Sequence, residues 1–223
     1  MYKFLKRFTD LLIATIAITL LSPIFIFVIV ILMLTGEHEV FYFQKRIGYK
    51  NKPFKIWKFA TMYKNSSSIG SKEITVRNDP RVTKFGRILR MTKINELPQI
   101  INVYKGEMSI VGPRPLMEVS FNLYPAKVKK LIYNSKPGIT GIGSLIFRDE
   151  EKIISEAVDP KRMYASIYPY KGELELWYLR NASLLTDIKI IFLTAWGIFF
   201  PENNLGLKVF KSLPKKEEAT LVD

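Results

Sequence analysis

From Leu11 to Leu34 the chain runs for 24 residues without a charge, LLIATIAITLLSPIFIFVIVILML. As a straight helix this stretch reaches roughly 36 Å, enough to cross a bilayer. It does not read as a cleavable signal peptide: the apolar run is too long, and GEHEVFYF beyond it offers no small-residue cleavage pattern. Ser22-Pro23 stands at its centre. Proline there removes one backbone hydrogen bond and clashes with the preceding turn, so a kink or a break is expected, with Ser22 placed to satisfy freed carbonyls. Lys3, Lys6 and Arg7 precede the run; Lys45, Arg46, Lys50, Lys52, Lys55 and Lys58 follow it, with no acid between Val40 and Lys64. Positive flanks favour the cytoplasmic side, so both ends belong there. A re-entrant helix-break-helix meets that demand, and a simple kinked anchor stays open beside it.

The whole chain has 223 residues, room for one domain and an appendage. Its 34 Lys+Arg against 20 Asp+Glu give a net charge of +14, which points to a polyanionic partner: nucleic acid, anionic lipid or phosphorylated substrates. Without cysteine there is no disulfide framework and no thiolate nucleophile, and the single His38 excludes a histidine-cluster metal site.

Beyond Gly36 the composition is mixed. VFYFQKRIG and KPFKIWKFATM alternate around the turn-like YKNKP and predict a hairpin or two short strands. NSSSIGSK, residues 65–72, predicts a mobile loop, and the pattern from Pro80 to about Lys105 is helical. Ile188 to Phe200 is apolar but too short to span; it suits an interfacial helix or a buried one. The expected organisation is α+β and helix-rich: a membrane helix hairpin over 1–36, a small cytosolic catalytic domain with interfacial helices over 37–200, and a polar tail over 201–223.

Several short motifs carry candidate chemistry. Arg81, Lys84, Arg87 and Arg90 recur every third position, a cationic stripe suited to phosphates or headgroups, although a solvated face explains it as well. In INELPQIINVY, Asn95 reads as an N-cap and Pro98 as a first-turn proline, which puts Glu96 at the positive end of a helix near Arg90 and Lys93. An ionised carboxylate there can hold Mg²⁺ or merely complement the dipole. VGPRP presents Arg114 between two stiff prolines, a rigid stem for a planar phosphate-binding fork. KPGITGIG has glycines at 138, 141 and 143 whose N–H groups can face a phosphate.

Taken in order, the broken apolar run, FYFQKRIG, KPFKIWKFATM, NDPRVTKFGRILRMTKINELPQIINVYKGEMSIVGPRP, KPGITG and YLRNASLLTDIKI resemble the bacterial sugar transferase family over roughly Lys6 to Phe200. These are small monotopic polyprenyl-phosphate phosphoglycosyl transferases. The resemblance implies transfer of a sugar-1-phosphate from a UDP-sugar to undecaprenyl phosphate, with release of UMP. It also implies the bacterial inner membrane with a cytoplasmic catalytic domain, Mg²⁺ as cofactor, and an Asp-Glu pair whose Asp is the nucleophile and whose Glu serves the metal. Such a step initiates exopolysaccharide, capsule or O-antigen synthesis.

Here that pair is Asn95-Glu96, so Glu96 matches and the nucleophile position does not. Ala60 stands where the family usually has arginine, while Lys58 and Arg114 are retained. After KPGITG the chain continues GSLIFRDEE beyond Ile142, which makes Arg148 the counterpart of the family's arginine there. Lys58, Arg90, Arg114 and Arg148 are thus the expected phosphate-binding cations, with Glu96 and Asn95 at the catalytic position and Glu96 as metal ligand. An amide has no carboxylate oxygen to attack phosphorus. Three routes follow: Glu96 attacks, the acceptor phosphate attacks directly, or the protein is a silent, membrane-bound binder that recruits later glycosyltransferases. A nucleic-acid binder rests on charge alone and has no supporting motif.

Overall fold

A computed structural model describes residues 2–35, 37–64, 66, 79–200 and 205–215. Residues 67–72 of the expected loop lie outside that set, as does Asn65.

Helix α1 spans Tyr2–Leu34 and carries Pro23 inside it. The expected break is therefore not an interruption of the element. Pro23 has no N–H for the carbonyl of Thr19, and the Ser22 hydroxyl donates to that oxygen at 2.9 Å, so the acceptor keeps a partner.

Both halves of α1 pack on the globular body. Near the start, Arg7 donates to the carbonyls of Val103 and Tyr104 at 2.6 and 2.9 Å. Asp10 is buried and accepts from the Ser109 hydroxyl and the Ile110 N–H, each at 3.0 Å. Near the end, Val28 and Leu32 form a small core with Phe59 and Leu89. Between and around these points Leu20, Ile26 and Phe27 are exposed. A straight helix of 33 residues is about 50 Å long.

The expected hairpin is present. Strands β1 (Phe41–Ile47) and β2 (Pro53–Phe59) pair antiparallel from Phe41 opposite Phe59 to Ile47 opposite Pro53. Paired positions share a face, so Gln44, Arg46 and Lys58 all point to one side. The turn at Tyr49–Asn51 uses left-handed Lys50 and Asn51. Helix α2 (Lys84–Met91) is capped by the Thr83 hydroxyl, which accepts from the Gly86 N–H.

Arg81 precedes α2 and is buried on Asp79 at 2.6 Å, so the expected cationic stripe loses its first member to an internal ion pair. A 3-10 turn, Ile94–Glu96, leads to α3 (Gln99–Lys105). Asn95 is thus not an N-cap: left-handed Lys93 starts the turn and Pro98 holds the cap position of α3.

Strand β3 (Ser109–Val111) precedes α4 (Glu118–Asn122) and α5 (Ala126–Leu131) and pairs parallel with β4 (Gly138–Thr140). Then come α6 (Ile142–Ile146), α7 (Glu150–Ser155), α8 (Pro160–Ser166), α9 (Tyr168–Asn181), α10 (Leu184–Phe199) and α11 (Leu205–Val209). The main core gathers Val103, Met108, Tyr133, Leu174, Tyr178 and Ile190 with Ala14 of α1.

Helix α10 is two-sided: Ile190 and Leu193 are buried, while Leu185, Ile188, Phe192 and Ile198 are exposed. Asp187, in its first turn, receives Lys6 at 2.8 Å, Tyr2 at 3.0 Å and Tyr178 at 2.7 Å, tying α1, α9 and α10 together. Residues 205–215, expected within a polar tail, pack on α9 through Phe210 against Trp177, whose indole N–H donates to Ser212.

Candidate functional site

The site grows from the hairpin and the 3-10 turn. Asn102 on α3 locks the two together: its side-chain oxygen accepts from the Trp57 N–H at 3.0 Å, and its amide donates to the Lys55 carbonyl at 2.8 Å. This brings Lys58 of β2 over Glu96, with Nζ 2.9 Å from Oε1. Arg114, from the loop after β3, places Nη2 2.9 Å from the same oxygen and Nη1 3.5 Å from Oε2. Its loop is pinned by Tyr133, whose hydroxyl donates to the Arg114 carbonyl at 2.8 Å and accepts from the Leu116 N–H at 3.1 Å. Arg46 of β1 stands beside them, with Nε and Nη2 on the Gln44 side-chain oxygen and Nη1 on the Pro115 carbonyl at 3.3 Å.

Three cations, Arg46, Lys58 and Arg114, thus face one carboxylate, Glu96, leaving two positive charges in excess. The electrostatics follow. Burial opposes the charge of Glu96, but Arg114 and Lys58 outweigh it and hold the carboxyl well below the usual range. Burial brings Lys58 down to about 8, with Arg46 and Arg114 adding to the fall while Glu96 resists it. Arg46 is lowered to about 10 by burial and then by Arg114. Arg114 is held above its ordinary value by Glu96. Clustered cations repel, and an anionic ligand relieves that repulsion.

Asn95 is buried in the same turn, and its Oδ1 has no hydrogen-bond partner. Among the described residues no three His, Cys, Asp or Glu gather into a metal site. Glu96 Oε2, touched only by Arg114 at 3.5 Å, has spare capacity. A carboxylate oxygen fits Mg²⁺, which takes one or two protein oxygens and completes its shell with phosphates and water.

The structure brings together only part of the expected set. Lys58, Arg114 and Glu96 converge, and Asn95 is buried beside Glu96 in the same turn. Arg90 lies on α2, where its charge favours that of Asp79. The Arg148 guanidinium rests against Gly197 of α10 instead. The glycines of KPGITGIG serve packing: a Cβ at Gly138 or Gly141 would overlap the backbone of Gly112, and one at Gly143 would overlap Glu175. Arg46 was not expected in the site, although its alternation with Gln44 in FYFQKRI carried the signal. Ala60 lines a cavity of about 350 Å³ with Leu32, Met62, Thr83 and Phe85.

The comparisons with known proteins point one way. The chain is 37% identical over 199 residues to the UDP-glucose:undecaprenyl-phosphate glucose-1-phosphate transferase of Escherichia coli, covering 88% of this chain and 40% of that one. It is 34% identical to a UDP-N-acetylgalactosamine-undecaprenyl-phosphate N-acetylgalactosaminephosphotransferase of Aeromonas hydrophila, over 86% of this chain and 43% of that one. With the exopolysaccharide production protein ExoY of Sinorhizobium fredii it shares 32% identity over 85% of this chain and 83% of that one. The chain therefore spans about two fifths of the first two relatives and most of the third. The model of the bacterial sugar transferase family matches residues 1–201, which include α1, the hairpin and every residue around Glu96. With that match joined to the relatives' identity across nearly the same span, the chain belongs to the bacterial sugar transferase family.

Proposed function

We propose that this protein transfers a sugar-1-phosphate from a UDP-sugar to undecaprenyl phosphate, releasing UMP, as an initiating step of surface-polysaccharide synthesis. The observation that carries this reading is the half-buried group of Arg46, Lys58 and Arg114 around Glu96, a cationic cluster in a member of this family. Its excess positive charge suits a diphosphate, and the Arg114 fork suits two phosphate oxygens at once.

Asn95 directs the choice of route. Its amide cannot form the covalent phosphosugar, and Glu96 is a weak nucleophile while two cations hold its charge. The reading that remains is direct transfer. An oxygen of the acceptor phosphate attacks the sugar-bearing phosphorus, the bond from that phosphorus to the bridging oxygen breaks, and its electron pair leaves with UMP. Lys58, Arg46 and Arg114 bind and orient the phosphates and stabilise the charge that develops. Glu96 would hold Mg²⁺, which supplies further neutralisation of the diphosphate.

Helix α1 bears on the membrane arrangement. Residues from both of its halves pack on one globular body, and basic residues flank both ends of the apolar run. These features support a re-entrant, monotopic seat in the inner membrane with the domain in the cytoplasm, because a spanning helix would carry one end away from the body. The exposed apolar face of α10 supports an interfacial position for that helix.

Asn95 also favours a second reading, a substrate-binding homologue without turnover that recruits later glycosyltransferases. Incubation with a panel of UDP-sugars and undecaprenyl phosphate separates the two. UMP released only with the acceptor present supports the transferase, and binding without release supports the silent homologue.

A further inference from the structure

Glu175 lies on α9, behind the loop that carries Arg114, and has no place in the reading above. Its residue is 1% exposed, and Oε2 has no hydrogen-bond partner. Such a group is costly to bury, so its location calls for a reason. Two segments close on it. On one side are Gly141 and Gly143, and a Cβ on Gly143 would overlap Oε1. The missing side chain at 143 is what makes room for the carboxyl. On the other side runs the loop that carries Arg114: a Cβ on Gly141 would overlap the Gly112 carbonyl of that loop and stand 3.9 Å from Oε2, and the Arg114 backbone favours the charge of the carboxyl.

The loop is thus held at two points: the Tyr133 hydroxyl donates to the Arg114 carbonyl at 2.8 Å, and Gly112 packs on the Gly141–Gly143 segment that Glu175 abuts. Lys171, one turn earlier on α9, also faces Glu175 but is itself held by Glu150 at 2.9 Å. Tyr124 and Tyr133 complete the surroundings; the charge of Glu175 raises both phenols. Burial is the largest influence on the carboxyl and pushes it up to about 8, so it is largely protonated at neutral pH.

We propose that Glu175 is a positioning residue for Arg114: its side chain, packed on Gly143 and beside Gly141 where that segment meets Gly112, fixes the VGPRP loop and with it the aim of the guanidinium at a bound diphosphate. This rests on the reading of Arg114 as a diphosphate-binding group. Once ionised, the carboxylate competes with the diphosphate for the field of Arg114.

The test uses the full chain in detergent, with UDP as the probe and hydrogen–deuterium exchange across residues 111–117 as a readout independent of nucleotide. Glu175→Ala should raise exchange at the Arg114 and Leu116 amides and weaken UDP by about tenfold, with the β1–β2 hairpin unchanged. Glu175→Gln keeps the shape and should match wild type at neutral pH. Above about pH 8 it should bind UDP more tightly than wild type, the fall common to both proteins belonging to Lys58.

Unchanged exchange at the loop in Glu175→Ala overturns the proposal, as does a rise spread evenly over the domain in both variants. If Arg114→Ala weakens UDP but Glu175→Ala does not, positioning is wrong and the diphosphate reading stands. If the loop loosens in Glu175→Ala but wild type binds no UDP, the diphosphate reading fails while the hold on Arg114 remains.

Discussion

The Ser22 hydroxyl sits 2.9 Å from the carbonyl oxygen of Thr19, the acceptor that Pro23 leaves without its usual helical donor. The pair lets α1 pass through a proline without a bare carbonyl at the depth where hydrocarbon would surround it. The chain has no native cysteine, so single cysteines report topology cleanly. Cysteines at Lys3 and Lys50 should both react only from the cytoplasmic side. Pro23→Leu, which restores the donor and relieves the clash, should straighten the helix and move the N-terminus across; opposite-side labelling in wild type would remove the re-entrant reading.

Arg114→Lys keeps a charge near Glu96 but loses the fork that reaches both carboxylate oxygens. Turnover, or UDP affinity if turnover is absent, should fall by about tenfold or more. Lys58→Met should act on folding as well, because Glu96 in this half-buried cluster then keeps only Arg114, at a cost of about 1.5 kcal/mol in denaturant titrations. Wild-type values in both variants would mean that the cluster is only structural.

The pH response of Lys58 has a definite sign. Its folded value of about 8 lies below its ordinary value of 10.5, so between these the unfolded chain binds more protons and stability rises with pH. Ligand binding moves oppositely: above about pH 8 the cluster loses a positive charge and phosphate affinity drops. Lys58→Arg should flatten that drop. Glu175 works in the other direction on stability. Its value is raised from 4.5 to about 8, so its contribution is full below the lower value and is lost as pH rises through the upper one. Melting of Glu175→Gln against wild type, followed from acid to alkaline pH, should show the variant gaining in relative stability across that window.

Asn95→Asp restores a nucleophile with almost no change in volume. If direct transfer operates, wild type releases UMP without any adduct, and the variant gains a phosphosugar on the new carboxylate, visible by intact mass. An adduct on Glu96 in wild type would assign attack to that residue instead. Glu96→Gln should abolish release and weaken dependence on Mg²⁺, since an amide is a poorer ligand for a hard cation.

Asp187→Ala removes the acceptor shared by Lys6, Tyr2 and Tyr178. It should loosen the start of α1 and cost about 3 kcal/mol, because a cation and two hydroxyls lose their common partner. Protease sensitivity near Arg7 should rise, and no change there would make the link incidental.

Local patterns were the legible part of this molecule. The β1–β2 hairpin followed from strict alternation around a turn, and Ser22 beside Pro23 announced the repaired carbonyl. Lys58, Glu96 and Arg114 came from motifs that each looked ordinary alone, and tertiary contact is what unites them. Asn95 was misread as a cap because nothing local reveals that Lys93 turns left-handed. Arg90 and Arg148 carry the right charge, but Arg90 on α2 lends its field to Asp79 and Arg148, in the turn between α6 and α7, rests against Gly197. The glycines at 138 and 141 answer to Gly112, about thirty residues away, a demand that no window along the chain contains.

The seat of Asp10 on Ser109 and Ile110 has a consequence for the order of events during synthesis. Those partners follow Asp10 by 99 and 100 residues, and Asp187 follows Lys6 by 181. A chain grows from its N-terminus, so α1 leaves the ribosome long before the surface that receives it exists. During that interval lipid is the available shelter for its apolar residues. The globular body then assembles against a helix made first, and a lipid surface would serve as the holding partner of α1 until Ser109 and Ile110 arrive.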